Sequence, residues 1–201
     1  MLAIIDYGVG NLYSLSHSLT HLGIENVITR DPEIIATAER LILPGVGAFG
    51  DARKKLDDTG LTDLIIRRAK EGTPLLGICL GMQMLFDKSY EYGEHEGLHL
   101  IPGEICPLAD DLTQNLKVPH IGWNRLNIKH PCKLTKYIHE GDSVYYVHSY
   151  YAKNAGEHVM ASSEYEVDVP GIVNCGSVYG TQFHPEKSGE IGLRILRAFA
   201  E

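Results

Sequence analysis

The run Pro74-Leu75-Leu76-Gly77-Ile78 passes directly into Cys79-Leu80-Gly81-Met82-Gln83, with no turn-forming polar residue between them. The first segment is apolar without alternation, the pattern of a strand buried on both faces. The second opens a helix reading from Leu80 to about Asp87. A strand that turns straight into a helix must do so through a strained residue with crowded neighbours two places either side. Gly77 and Gly81 supply the room, and Cys79 takes the strained position. This spacing commits the chain to an α/β layout with the 74–78 strand inside a sheet.

The rest of the first half agrees. Leu2 to Ile5, Val27 to Thr29 and Arg40 to Leu43 read as short strands. Between the first two, Leu12, Leu15, Leu19 and Leu22 recur on one helical face, with Asn11 placed to cap it and Gly23 to stop it. Leu61, Leu64, Ile65 and Ala69 mark a further helix closed by Gly72. Strand and helix in alternation imply a mostly parallel sheet flanked by helices. From Gly97 to Tyr179 the pattern changes to short β-like pieces, among them Val144 to Val147, His158 to Ala161 and Gly171 to Val173. Turns are expected at Pro102-Gly103, Glu140-Gly141-Asp142 and Pro170-Gly171. These pieces read as antiparallel strands added to the sheet's edge or lying above it. A helix opened by Ser188 closes the chain. No linker or repeat interrupts residues 1–201, so one domain is expected.

Charge and cysteine usage narrow the function classes. The formal net charge of −8 argues against a nucleic-acid partner, which needs Lys and Arg to neutralise phosphates. The longest uncharged stretch, Gly72 to Phe86, falls short of a membrane span of about 20 residues. Met1 to Asp6 lacks the basic and apolar regions of a signal peptide, so a cytosolic location is expected. Cys79, Cys106, Cys132 and Cys175 form no close pair, which fits neither a zinc site nor a disulfide framework. His17 and His21 lie one helical turn apart with no third ligand nearby, so no metal is expected. Gly8-Val9-Gly10 followed by Asp31 imitates a dinucleotide fingerprint, but Tyr13 stands at the third glycine position, and no cofactor is expected.

The chemistry lies in two distant segments. Cys79 offers a thiol whose thiolate form is favoured by the amides at the start of the following helix. The amide of Leu80 is placed to donate to an oxyanion. His184-Pro185-Glu186 follows another strand-like run, Val178 to Phe183. Residues two apart in extended chain project to the same side, so Glu186 can accept from His184 Nδ1 and leave Nε2 facing the thiol. Loops at the C-terminal ends of parallel strands gather in one crevice, where both segments can meet. Pro44-Gly45-Val46-Gly47 ends a third strand and could bring a second amide to the oxyanion.

Together, Pro44-Gly45-Val46-Gly47, Gly77-Ile78-Cys79-Leu80-Gly81-Met82-Gln83 and His184-Pro185-Glu186 resemble the triad-type glutamine amidotransferases. Pro119-His120-Ile121-Gly122-Trp123-Asn124 and Tyr146-Val147-His148-Ser149-Tyr150 resemble one branch of them, the glutaminase subunits of imidazole glycerol phosphate synthase. The resemblance implies a flavodoxin-like α/β domain with Cys79, His184 and Glu186 as catalytic triad. It implies an oxyanion loop at Val46 and Gly47, and glutamine contacts at Gln83, Glu91, Ser149 and Tyr150. It implies a heterodimer with a (β/α)₈-barrel cyclase of histidine biosynthesis, which Asn11, Trp123 and Lys187 would face. Glutaminases of the anthranilate or pyridoxal phosphate pathways, or a silent regulatory subunit, are the alternatives. The segments around Trp123 and His148 speak against the first two, and the intact Cys, His and Glu against the last.

Overall fold

The computed structural model describes residues 1–113 and 116–201. The strand-like runs of the first half form strands β1 (Leu2–Ile5), β2 (Asn26–Thr29), β3 (Arg40–Leu43) and β4 (Leu75–Ile78). Between and after them run helices α1 (Leu12–His21), α2 (Pro32–Thr37), α3 (Phe49–Asp58), α4 (Thr62–Lys70) and the short α5 (Leu80–Met84). The second half contributes β5 (Lys88–Ser89), β6 (His95–Glu96), β7 (Glu104–Pro107), β8 (His120–Arg125), β9 (Asn127–Ile128), β10 (Ser143–His148) and β11 (Tyr150–Lys153). It ends with β12 (Val159–Tyr165), β13 (Val167–Cys175), β14 (Val178–Thr181) and α6 (Gly189–Ala200).

The main sheet runs β2-β1-β3-β4-β14-β13-β12-β9. It is parallel as far as β14 and antiparallel from there to β9. Consecutive strand residues point to opposite faces, which splits the apolar tetrads between two cores. Ile5, Leu41, Leu43 and Leu75 join Ile35, Leu56 and Ile65 of α2, α3 and α4 on one face. Leu2, Ile4, Ile42 and Leu76 join Leu15 and Leu19 of α1 and Leu196 and Phe199 of α6 on the other. A second sheet, β11-β7-β5-β6, and the antiparallel pair β10-β8 complete the architecture. The mostly parallel, helix-flanked sheet with added antiparallel strands is the expected fold class. No helix among the described residues is long and apolar enough to cross a membrane.

Four local expectations need correction. Helices α2 and α3 were not anticipated, because each carries few apolar residues over a short span. Asp31, which imitated a ribose-binding acid, caps α2 by accepting from Glu33 N at 2.9 Å. Pro170-Gly171 is not a turn but lies inside β13. The missing proline N–H is accommodated where β12 shifts register between Ala161 and Ser162, opposite Pro170. Helix α5 stops at Met84, well before Asp87, and the chain then turns away into the second sheet.

Candidate active site

The turn from β4 into α5 shows why its glycines are needed. Cys79 sits at φ 54°, ψ −111°, a region that non-glycine residues rarely occupy and that stores strain. A Cβ on Gly81 would lie 1.9 Å from Leu43 O, and one on Gly77 would lie 2.6 Å from Gly81 O. Gly45 is pressed in the same way, with its Cβ position 2.6 Å from Gly81 N. The ends of β3 and β4 are thus in backbone contact, which brings the 44–47 loop against the cysteine turn. Gly47, at φ 93°, continues that loop.

Strand β14 pairs with β4 in parallel and carries the second segment to the same end of the sheet. His184 follows it, 2% exposed, with its N–H bonded to Tyr145 O at 3.0 Å. His184 Nδ1 and Glu186 Oε1 are 2.9 Å apart. The backbone between them is not extended as expected. Pro185–Lys187 forms a 3₁₀ turn, and its tighter winding folds the carboxylate back under the ring. Asn11 Nδ2 donates to the same Oε1 at 3.4 Å, so Asn11 occupies the cap position of α1 without capping it. Burial pulls the His184 ring downward, but hydrogen bonds to Cys79 and Glu186 and their negative charge outweigh it and set its pKa at about 9. The ring is thus bonded to the carboxylate and shares a cavity wall with the thiol.

Cys79 is 7% exposed. Its Sγ lies 3.9 Å from Val147 O and 3.9 Å from Gln182 Nε2. It opens onto a cavity of about 350 Å³ that His184 also lines. Val46, Gly47 and Leu80 border this cavity on the side of the 44–47 loop. Gln83, Glu91, Ser149 and Tyr150 complete the predicted part of its wall, and Lys187, expected to face a partner, lines it as well. Glu91 accepts from Phe49 N at 2.6 Å, and burial pushes its carboxyl upward. Gln83 is braced rather than free: its Nε2 donates to Tyr150 O at 3.0 Å and to Gln182 Oε1 at 3.1 Å. Trp123 and Asn11 are not in the wall. Trp123 is 59% exposed on β8, and its ring lies over Gly189. Asn11 contacts the Glu186 carboxylate instead.

A family model described as glutamine amidotransferase class-I matches residues 3–201. The chain belongs to the class-I glutamine amidotransferase family. Imidazole glycerol phosphate synthase subunit HisH from Geobacillus sp. (strain WCH70) is 52% identical to this amidotransferase, over 100% of this chain and 96% of its own. The subunit of that name from Listeria monocytogenes EGD-e is 48% identical over 100% and 95%. A glutamine amidotransferase crystal structure superposes with a TM-score of 0.75 at 22% identity, covering 98% of this chain and 96% of that one. PurLQS from Thermotoga maritima gives a TM-score of 0.75 at 19% identity over the same shares, a likeness of fold.

Sequence reasoning overlooked several residues of this amidotransferase's pocket. Gln182 is fully buried and joins Gln83 to the region of Cys79, yet its only signal is an amide inside a strand-like run. Pro119, just before β8, and Val147 and His148, at the end of β10, line the cavity. Their placement depends on a sheet change at Ser149, where β10 ends and β11 begins in another sheet. No periodicity announces such a change.

Proposed function

We propose that this amidotransferase hydrolyses the side-chain amide of glutamine and supplies the ammonia to a cyclase partner, as the glutaminase subunit of imidazole glycerol phosphate synthase in histidine biosynthesis. The observation that carries the chemistry is the imidazole of His184, bonded to Glu186 and lining the same cavity as Cys79. The HisH relatives at about 50% identity support the pathway.

The steps follow from the arrangement. The Cys79 sulfur attacks Cδ of glutamine while the proton is held on His184 as imidazolium. The amide of Leu80 and the 45–47 loop stabilise the oxyanion. The imidazolium returns the proton to the departing nitrogen, ammonia leaves, and a γ-glutamyl thioester remains. His184 then takes a proton from water, whose oxygen displaces the sulfur and yields glutamate. Gln83, Glu91, Ser149 and Tyr150 bound the space for the substrate's remaining groups.

Ammonia must stay neutral and shielded from water to act as a nucleophile, so a sealed interface is part of the reading. The partner is a (β/α)₈-barrel cyclase, seated over Asn11, Trp123 and Lys187. Exposed Ile121 at 58% and Trp123 at 59% on β8 suit such a face. Residues 1–201 act as one domain, supported by the insertion of β14 beside β4 in one sheet. A cytoplasmic location is supported by four free cysteines.

The test mixes the chain with the cyclase subunit and its ligand and follows glutamate release and glutamine-dependent cyclisation. Both activities are expected, with Cys79→Ala abolishing them. A glutamine-like electrophile should label Cys79 alone. Cyclisation that ignores glutamine, or an adduct elsewhere, would refute the assignment.

A further inference from the structure

Two buried histidines outside the triad form one hydrogen-bonded line to the pocket edge. His148 Nδ1 lies 2.9 Å from Tyr150 O, and His148 Nε2 lies 2.9 Å from His120 Nδ1. His120 Nε2 lies 3.3 Å from Asn124 Nδ2. The Asn124 amide has a fixed orientation, since its Oδ1 accepts from Arg125 N at 2.8 Å and its Nδ2 donates to Glu164 O at 2.9 Å.

These contacts leave one proton arrangement. A carbonyl oxygen only accepts, so His148 Nδ1 carries a hydrogen. Burial pushes His148 down to about 3 and His120 down to about 4, so both rings are neutral at pH 7. His148 Nε2 is then an acceptor, and His120 Nδ1 carries the hydrogen that meets it. His120 Nε2 in turn accepts from Asn124. Both rings are held as Nδ1–H tautomers, pointing one way along the line. The His120 ring cannot swing, because it stacks on Tyr146 and Tyr165 with centroids at 4.7 and 4.0 Å.

The line ends on a saturated carbonyl. Tyr150 O takes a second hydrogen bond from Gln83 Nε2 at 3.0 Å, and Ser149 O accepts from Leu108 N at 2.9 Å. With both lone pairs used, the Tyr150 carbonyl is an anchor and not a substrate contact.

We propose that His120 and His148 are positioning residues, two Nδ1–H imidazoles in series that clamp the Tyr150 carbonyl and hold the 149–150 edge of the cavity in the shape that receives glutamine. This rests on the glutaminase reading of the cavity. Neither ring exchanges a proton during the reaction, so their loss acts on substrate binding before it acts on chemistry.

Two measurements test the proposal. In the full chain labelled with ¹⁵N-histidine, two rings should show the neutral Nδ1–H pattern in ¹H–¹⁵N multiple-bond spectra, unchanged from pH 6 to 8. An Nε2–H tautomer or an imidazolium at either position would overturn the assignment. The second uses side-chain mimicry, with the cyclase subunit and its ligand present. His148→Asn puts an amide N–H near the Nδ1 position, whereas His148→Gln puts it near Nε2. The KM for glutamine should be about tenfold higher in His148→Gln than in His148→Asn, the loss of one hydrogen bond. The two variants should differ in kcat by less than about threefold. Equal KM values, or a fall in kcat alone, would refute the clamp. Should the His148 variants not fold, His120→Asn against His120→Leu makes the same comparison one ring further out. Wild-type protein that releases no glutamate would defeat the glutaminase reading instead, and the tautomer pattern would still be decided.

Discussion

Asn11 and Glu186 meet across 175 residues of chain, with Asn11 Nδ2 donating to the carboxylate oxygen that also accepts from His184 Nδ1. The other oxygen, Glu186 Oε2, is buried without a hydrogen-bond partner among the described residues. The carboxylate is therefore oriented through Oε1 alone, by one ring and one amide.

At 3.4 Å the Asn11 bond is long and worth about 1 kcal/mol. Asn11→Ala should lower the kcat for glutamine about fivefold with little change in KM. Glu186→Ala removes the ring's orienting group as well and should cost about 10²-fold. Steady-state glutaminase assays with the cyclase present measure both.

The His184 pKa of about 9 fixes the alkaline side of the rate profile. The imidazolium is the acid that protonates the departing nitrogen, so kcat/KM should fall as pH rises through about 9. In Glu186→Ala that limb should move to lower pH, because a bond and a charge that favour the imidazolium are gone. A limb that stays in place would contradict this pairing.

The histidines also set opposite stability trends. His184 binds its proton more tightly folded than unfolded, so its contribution is complete below about pH 6.5 and is lost as pH rises through about 9. His120 and His148 bind protons more weakly when folded. Their contribution is present above about pH 6.5 and is lost as pH falls toward 4 and 3. Each should add a slope of about 1.4 kcal/mol per pH unit on the acid side. Denaturant melts between pH 4 and 7 should show His148→Asn with a shallower acid slope than wild type.

The glycines divide by what opposes them. Gly72, at φ 94°, has open space around its Cβ position, so Gly72→Ala should cost only the strain of the left-handed region, about 1–2 kcal/mol. Gly81→Ala would drive a methyl group into the Leu43 carbonyl. It should abolish soluble folded protein, or leave a chain whose Cys79 no longer reacts with a glutamine-like electrophile.

Gln83→Leu should lower stability and substrate affinity together. It leaves Gln182 Oε1 without its donor, at about 1–3 kcal/mol, and takes one of the two donors from Tyr150 O, which keeps His148 Nδ1. Chemical denaturation and KM for glutamine report the two losses.

Much of this protein is legible in its sequence because the information is local. The apolar tetrads at 2–5, 40–43 and 75–78 reveal buried parallel strands, and Gly77-Ile78-Cys79-Leu80-Gly81 reveals a strained nucleophile turn. Both follow from backbone sterics and side-chain periodicity within a few residues. Tertiary structure alone decided the long-range pairings: Asn11 turned from a helix cap to the Glu186 carboxylate, Gln83 braced on Gln182 and Tyr150, and His120 and His148 joined in line. Polar side chains satisfy their hydrogen bonds with whatever the packed sheets bring within 3 Å, and that neighbour is set by strand order and a sheet change at Ser149, which no local pattern encodes.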